Sequence, residues 1–344
     1  MSFDPSNILV IDFGQLGDVV LSLPALRAIK ERFPKARIVV AVGLPAVPIV
    51  ELSGAADATL PVDRVALRDG PKLRSIANIF RLVKKVRRER FDFVIDLHSL
   101  SETNLLGFLS SARSRLFGRR PRRSLDLLSN FRPKPPQEDQ SKHAVDRYLD
   151  ILLPLGIKDA ERTPRLKTRA EDDAVIEQML KKEGADMNAP LVGLFPGAGH
   201  PGRRWPLARF VELAARLERN DGVRPVLFAG PEEREMVKEM RAVFPRQTVI
   251  FDRLTIPQLA AALARLSVFI SSSTGPTHIA AAVETPVVVL YGRLTPDSFT
   301  PVGNNHRIIF SSALDAITVD EVYEATRSLI AKEHSAVGQA HGSF

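Results

Sequence analysis

Cysteine is absent from the chain, which removes disulfides and thiolate metal sites from consideration. Aromatic residues are scarce, at 6% with a single tryptophan. No stretch interleaves them with arginine as a base-stacking platform would, so nucleic acid is not an expected partner. Long hydrophobic runs are missing too: the apolar stretches are short and interrupted, well below the ~20 residues that span a bilayer. The opening Met1-Ser2-Phe3-Asp4-Pro5 lacks a basic region followed by a hydrophobic one, so no secretory signal is expected. The seven histidines are scattered without ligand spacing, which argues against a structural zinc site. A cytoplasmic enzyme fits these absences best.

Positive charge is what the chain has in excess. A net charge of +8 and a pI near 9.9 point to anionic partners, either acidic lipid surfaces or phosphorylated substrates. With 344 residues the chain is long for one core, and two domains are expected. Its first half alternates strand-like and helix-like runs. Strands are expected over residues 7–11, 37–42 and 92–97, and helices over 18–32 and a long basic stretch, 72–90. A proline-rich loop, Arg132-Pro133-Lys134-Pro135-Pro136, precedes a helix at about 142–155. Residues 156–190 are polar, with one helix-like piece at 171–183, and are taken as the interdomain connection. A second alternating series follows, with strands at 191–195, 224–228, 248–251, 268–270 and 286–290. Alternation of this kind implies parallel sheets with crossover helices, and ligands at the carboxyl ends of the strands. A closing helix, about 318–332, could return across the first domain, and the tail from Glu333 to Phe344 has the composition of a disordered segment.

Three strand ends carry chemistry. The run Val268-Phe269-Ile270 passes through Ser271-Ser272-Ser273-Thr274 into Gly275-Pro276-Thr277-His278 and an alanine-rich helix. Pro276 suits a first helical turn. That turn's N–H groups, with the hydroxyls of Ser273 and Thr274, would seat an anion; an ordinary capped helix is the plainer alternative. The first strand is followed by Asp12-Phe13-Gly14-Gln15-Leu16-Gly17-Asp18. The glycine spacing is not that of a dinucleotide fingerprint. Asp18 is either a helix cap or a general base on a hydroxyl nucleophile. The loop Phe195-Pro196-Gly197-Ala198-Gly199-His200-Pro201-Gly202-Arg203-Arg204-Trp205-Pro206 joins glycines that allow close backbone approach to guanidinium groups that grip phosphate.

These stretches together resemble glycosyltransferase family 9, the lipopolysaccharide heptosyltransferases. The likeness is carried by Gly17-Asp18-Val19 with Leu23-Pro24-Ala25-Leu26, the Pro-Gly-Ala-Gly loop ending in Arg203-Arg204-Trp205-Pro206, Phe228-Ala229-Gly230-Pro231, and Thr274-Gly275-Pro276-Thr277-His278. His143-Ala144-Val145-Asp146-Arg147-Tyr148, Tyr291-Gly292, Thr295-Pro296 and Pro301-Val302-Gly303 extend it in the same order. The resemblance implies an α/β protein of GT-B fold, two Rossmann-like doubly wound domains facing a central cleft. Residues 1–165 would bind the acceptor and 166–317 the nucleotide sugar, with 318–344 a closing helix and tail. It implies inverting transfer of a heptose, from ADP-heptose, to a lipid-linked phosphorylated sugar of the lipopolysaccharide inner core. No cofactor would be required, with Mg2+ at most stimulatory.

By the same resemblance Asp18 matches the catalytic aspartate. Arg203, with Arg204 close behind, would hold the diphosphate and stabilise charge as the nucleotide leaves. Gly197, Gly199, Ser273, Thr274, Gly275, Pro276 and His278 would line the donor site. One position departs from the family: Ser273 stands where Asp is usual, which removes a charge and any metal affinity. A same-fold transferase using another nucleotide sugar therefore stays open, as does a donor-binding protein of the envelope pathway that has lost catalysis.

On the acceptor side Gly17 joins Asp18 at the strand end. Asp96 and His98, two apart on a strand, would point to the same side and meet acceptor hydroxyls, although a structural role is the favoured reading for His98. Arg113, Arg115, Arg119, Arg120, Arg122 and Arg123 form the densest cationic cluster. Arg119, Arg120 and Arg122 are its candidates for contact with phosphates of the acceptor or with the anionic inner membrane surface, as a peripheral attachment. A second cluster, Lys84, Lys85, Arg87, Arg88 and Arg90, reads as a solvated helix end.

Overall fold

A computed structural model describes residues 3–68, 72–186, 189–293, 297–303 and 305–341. The chain divides into two compact units, Met1–Arg165 and Leu166–Phe344.

The first unit runs β1 (Asn7–Asp12), α1 (Leu16–Arg32), β2 (Arg37–Gly43), α2 (Val47–Ser53), β3 (Ala58–Val62), α3 (Arg64–Arg68), α4 (Lys72–Arg88), β4 (Phe93–Asp96), α5 (Ser101–Leu109), β5 (Ser114–Phe117) and α6 (Ala144–Asp150). Its five strands are parallel in the order β3-β2-β1-β4-β5. The apolar runs of β1 and β2 are buried on both faces, as a parallel sheet covered by helices requires. The strand order reverses between β1 and β4, which pair with Ile11 opposite Asp96. The crevice beyond their carboxyl ends is therefore where such a sheet binds ligands. The helix expected over 142–155 is shorter: α6 begins on a His143 cap and gives way to a separate turn, Leu153–Leu155, that contains Pro154.

The second unit runs α7 (Ala170–Lys182), β6 (Leu191–Phe195), α8 (Leu207–Asp221), β7 (Arg224–Phe228), α9 (Val237–Val243), β8 (Val249–Phe251), α10 (Ile256–Leu263), β9 (Val268–Ser272), α11 (Gly275–Ala282), β10 (Val287–Gly292), β11 (His306–Ser311) and α12 (Val319–His341). Six parallel strands lie in the order β11-β10-β9-β6-β7-β8. Here the reversal falls between β6 and β9, with Phe195 opposite Ser271. The two loops that leave these strands are the glycine–arginine loop and the Ser273–Gly275 turn. Sequence-distant motifs are thus neighbours because the topology changes direction between them.

Two readings of the sequence are corrected. The polar stretch 156–190 is not all connection: α7 packs on α10, and Arg265 bonds the Asp173 carboxylate at 3.0 Å, so α7 belongs to the second unit. The closing helix α12 packs on α8 and on β9, β10 and β11 of its own unit, burying Val322, Tyr323 and Leu329. It also continues to His341, through most of the segment whose composition suggested disorder. Among the described residues no helix is long and apolar enough to cross a membrane.

Candidate functional site

In the first unit the turn from β1 into α1 is built around two carboxylates. Asp12 is fully buried and accepts hydrogen bonds from the Gly14 N–H (2.9 Å) and the Ser22 hydroxyl (2.6 Å). Burial raises its pKa, against the lowering effect of those two donors. It thereby ties the loop to the second turn of α1. Asp18, the third residue of that helix, is only half buried, and its Oδ2 accepts the Gln15 N–H at 2.9 Å. The carboxylate therefore closes the helix end from inside the first turn, with Gln15 rather than Asp18 in the cap position. Gly14 has to be glycine: a Cβ there would lie 2.6 Å from the Cβ of Asp18 and 3.1 Å from Oδ1 of Asp12. Gly17 precedes Asp18 in the same turn.

The β4 end presents His98 but not Asp96. Asp96 is fully buried and accepts the Ser99 N–H and the Asn104 amide, each at 2.7 Å. Burial pushes its pKa up to about 7. It organises the β4–α5 turn and does not face a ligand. His98 lies past the last residue of β4, where Leu97 and His98 both donate their N–H to the Ile11 carbonyl. The alternation expected of a strand has ended by then, so strand spacing no longer sets where His98 points relative to Asp96. Burial, then the cations Arg120, Arg64 and Arg123, hold His98 down at about 3, so the imidazole is neutral at physiological pH.

The arginine cluster divides by what its members touch. Arg115 bonds the Leu128 and Ala112 carbonyls. Arg119 pairs with Asp126 and Arg120 with Glu138, both at 3.5 Å. Arg122 is exposed, with a positive φ of 59°. Two residues that the sequence did not single out complete this end. Arg64 donates to the Gly14 carbonyl at 3.2 Å, holding a cation over the β1 turn. Tyr148 is buried close enough to Asp12 and Asp18 that their charges, added to burial, raise its hydroxyl well above the ordinary value. The fold thus combines a half-exposed carboxylate, a neutral imidazole and at least three guanidinium groups. Such a set suits a phosphorylated polyol whose hydroxyl must lose a proton.

In the second unit the loop after β6 is held at both ends. Trp205 is 1% exposed and donates its indole N–H to the Ile317 carbonyl at 3.0 Å, so the only tryptophan is an anchor and not a stacking surface. Arg204 Nε donates to the Ala198 carbonyl at 3.0 Å, and its Nη2 lies 4.0 Å from Glu233. Arg203 ends a one-turn helix, Pro201–Arg203, capped by the His200 ring. It makes no hydrogen bond or ion pair through its side chain among the described residues. Gly197 and Gly199 differ in kind. A Cβ on Gly197 would lie 2.4 Å from the Glu233 carboxyl carbon, whereas one on Gly199 meets nothing within 4 Å.

Glu233 is a further residue that sequence motifs did not flag. It is buried and accepts the Gly230 N–H at 3.0 Å, joining the Phe228–Pro231 turn to the arginine loop. The only signal was its position just beyond that strand-end turn.

The β9–α11 turn is a hydroxyl lattice. Buried Thr277 donates its hydroxyl to the Ser272 carbonyl (2.8 Å) and accepts the Thr274 N–H (3.1 Å), with the Ser271 and Thr274 hydroxyls 2.8 and 3.1 Å away. This network fixes the Thr274 cap, and Gly275 and Pro276 open the helix. His278 is 5% exposed, so it lies mostly inside the helix packing. Ser273 is half buried, 3.2 Å from the Tyr291 hydroxyl, which donates to the Phe299 carbonyl at 2.6 Å. The Tyr291 hydroxyl is thus shared between two acceptors, the Ser273 oxygen and the Phe299 carbonyl. Among the described residues no group of three or more His, Asp or Glu has the geometry to hold a metal ion. Thr295 and Pro296 of the sequence motif lie outside the described residues.

Comparison with known proteins assigns this architecture. The sequence profile of glycosyltransferase family 9 (heptosyltransferase) matches residues 79–324. Lipopolysaccharide heptosyltransferase 2 of Salmonella typhimurium is 25% identical over 357 residues, covering 95% of this chain and 99% of that protein. Lipopolysaccharide heptosyltransferase 3 of Escherichia coli is 26% identical over 294 residues, covering 84% of each. Among solved structures, a family 9 glycosyl transferase from Veillonella parvula superposes with a TM-score of 0.86 at 23% identity, over 96% of this chain and 99% of that one. E. coli ADP-heptose lps heptosyltransferase II gives 0.79 at 22% identity, over 95% and 99%. The two Rossmann-like units are those of a GT-B fold, and the chain belongs to glycosyltransferase family 9, the heptosyltransferases of lipopolysaccharide core synthesis.

Proposed function

We propose that this glycosyltransferase moves a heptose from ADP-heptose, with inversion, onto a hydroxyl of a lipid-linked phosphorylated sugar at the cytoplasmic face of the inner membrane. The observation that carries the proposal is the position of Asp18 and of the Arg203–Arg204 loop, each at the strand-order reversal of its own sheet. An E. coli heptosyltransferase has been solved with ADP and with ADP-2-deoxy-2-fluoro heptose, which supports the choice of donor.

In the first unit the acceptor hydroxyl gives its proton to Asp18 as its oxygen bonds the anomeric carbon. The bond from that carbon to the diphosphate oxygen breaks on the opposite side, and the electron pair leaves with ADP. The leaving charge is met in the second unit by the helix end at Gly275, held in place by the Thr277 hydroxyl network, and by the Arg203 guanidinium. Gly197, Gly199, Arg204, Ser273 and Thr274 shape the donor pocket, with Pro276 and His278 behind them. Arg119, Arg120 and Arg122 favour an acceptor that carries phosphate. No step is assigned to a metal.

The test is calorimetric titration with ADP-heptose, ADP, UDP and GDP, with and without magnesium, followed by transfer to a lipopolysaccharide core acceptor. Selective binding of ADP and ADP-heptose, with release of ADP only when acceptor is present, is the expected result. Ser273 favours one second reading. The hydroxyl that replaces the family's carboxylate accepts from Tyr291 and carries no charge, so a donor other than ADP-heptose would be recognised here first. Tighter binding of UDP or GDP would replace the donor while leaving the mechanism. A donor bound but never consumed with native acceptor would mark a protein that has lost catalysis.

A further inference from the structure

Helix α4 exposes more apolar surface than a helix that merely covers a sheet. Its 17 residues include seven lysines and arginines and no carboxylate. The inward face is supplied by Val86, which is buried, with Leu82 and Val83 packed against the same core. A surface helix of this kind should be polar on its other side. Instead Phe80 is 71% exposed, Ile76 50% and Ile79 46%. Ile76, Phe80, Lys84 and Arg88 recur every four residues and all are exposed. They form one row along the helix, apolar in its first half and cationic in its second. The neighbouring α5 lies against α4 and adds exposed Leu105 and Phe108. The Arg115 guanidinium stands 5.4 Å from the centre of the Phe108 ring.

Single exposed apolar residues are ordinary on any protein. Five large ones on two adjacent helices, bordered by the seven cations of α4 against a single carboxylate, Glu102 of α5, need a partner that offers both hydrocarbon and negative charge. A second copy of the same face would set like charges against one another, which disfavours self-pairing. An anionic bilayer supplies both properties: its headgroup–acyl boundary takes rings and branched side chains, and its phosphates take lysine and arginine. The arginines that the sequence suggested for lipid contact are less suitable, because Arg119 and Arg120 are paired with Asp126 and Glu138.

We propose that α4, widened by α5, is an interfacial docking face on which the protein lies against an anionic lipid surface. Ile76, Ile79 and Phe80 enter the headgroup–acyl boundary, and Lys84 and Arg88 hold lipid phosphates. The benefit of such a face rests on the proposed lipid-linked acceptor; its existence does not. A protein docked this way meets its acceptor by diffusion in the plane of the bilayer.

Flotation of the full chain with vesicles tests the proposal, using phosphatidylcholine alone or with about one-third phosphatidylglycerol, at low and at physiological salt. The wild type is expected to float with the anionic vesicles, to stay behind with the neutral ones, and to bind less at higher salt. Ile76→Ser with Phe80→Ser should weaken binding to anionic vesicles about tenfold. Lys84→Gln with Arg88→Gln should do so by at least as much at low salt, at roughly fivefold per charge. All four side chains are exposed, and none belongs to the strand-end loops that carry the proposed site. Nucleotide affinity and turnover on a delipidated core acceptor should therefore be unchanged, which also reports that the variants fold. A wild type that never floats, or an Ile76/Phe80 variant that floats like the wild type, overturns the proposal. So does sedimentation velocity showing a dimer that the same variant dissolves, since the occupant would then be a second copy. If flotation behaves as expected but no donor is consumed, the docking face stands and the transferase mechanism falls; the reverse outcome removes the docking face alone.

Discussion

In the proposed reaction Asp18 has two jobs, closing a helix and taking a proton, that a pair of substitutions can separate. As a helix-closing group it accepts the Gln15 N–H at 2.9 Å and places its charge in the first turn of α1. A side-chain bond to a helix N-terminus contributes about 1 kcal/mol, and a carboxylate facing the positive end of the helix dipole a further ~0.5. Asp18→Ala loses both, about 1.5 kcal/mol in total, whereas Asp18→Asn keeps an oxygen for Gln15 and loses only the ~0.5 due to charge. In a two-unit chain of this size that corresponds to Tm losses of about 3–6 °C for Ala and ~1–2 °C for Asn.

Chemistry orders the same two variants differently. Neither alanine nor asparagine can take the acceptor proton, so both should lose the ~10²–10⁴-fold that a positioned base contributes. Donor affinity should hold, because the residues assigned to the donor are all in the second unit. The assay is release of nucleoside diphosphate at saturating donor and acceptor, alongside thermal melts and calorimetry of donor binding. Support would be two variants equally inactive and unequally stable. If Asp18→Asn turned over within about tenfold of the wild type while Asp18→Ala lost activity in step with its melting, Asp18 would be a helix cap and the base would have to be sought elsewhere.

Other consequences follow from the same geometry. Gly197→Ala drives a Cβ to 2.4 Å from the carboxyl of Glu233, so it should destabilise by about 1–3 kcal/mol and weaken donor binding; Gly199→Ala should change neither in the same titration and melt. Arg203→Ala should weaken ADP binding by ~10–100-fold with little change in Tm, as loss of charged hydrogen bonds to phosphate does. In Arg204→Ala, the bond to the Ala198 carbonyl is lost, so melting temperature should fall together with affinity. The pH dependence of stability should carry two opposed contributions. Asp96 titrates near 7 when folded against 3.8 unfolded. Its contribution is therefore complete below the lower value and is lost as pH rises through the higher one. His98 titrates near 3 when folded against 6.5 unfolded, so its contribution is complete above the higher value and lost as pH falls toward the lower. Guanidinium midpoints of Asp96→Asn across this range should show the alkaline loss removed and the acid loss laid bare; curves parallel to the wild type would count against both assignments.

The parts of the fold legible in the sequence are those buried on both faces. Strands β1, β2, β6 and β7 are continuous apolar runs bounded by turn residues, and their predicted limits lie within a residue of the observed ones. The pattern leaves β3, β5 and β11 unread. All three are sheet edges. Strand β3 contains Pro61, which an edge tolerates because one row of its N–H groups needs no partner, and β11 exposes Ile308 and Phe310 in alternation with half-buried neighbours. An edge strand is thus specified as much by its neighbour as by its own residues. Residues 156–190 show the opposite error, where polar composition suggested a connection. Helix α7 buries only Ile176 and Leu180, too little apolar surface to reveal that it packs on α10.

The site shows the same division more sharply. Residues assigned to the ligand cluster in sequence because a single strand-end loop can carry several of them, as the loop holding Gly199, Arg203 and Arg204 does. Residues that aim them are brought in by topology and leave no local pattern. Arg64 reaches the Gly14 carbonyl from fifty positions away, and Trp205 is fixed by the Ile317 carbonyl beyond the last strand. Asp96 shows how spacing alone misleads: a carboxylate two residues from a histidine suggested a shared ligand face, yet the strand stops between them and one side chain turns inward. Ser273 is the converse. Its identity was the visible departure from the family, but its consequence depends on Tyr291 and Phe299. The Tyr291 hydroxyl donates to both the Ser273 oxygen and the Phe299 carbonyl, so position 273 acts as a neutral acceptor. Ser273→Asp should therefore keep an acceptor for Tyr291 but set a negative charge beside the proposed diphosphate seat, and donor affinity in that variant should fall. A rise in ADP-heptose affinity would show that the carboxylate can be accommodated and that the hydroxyl pair is incidental.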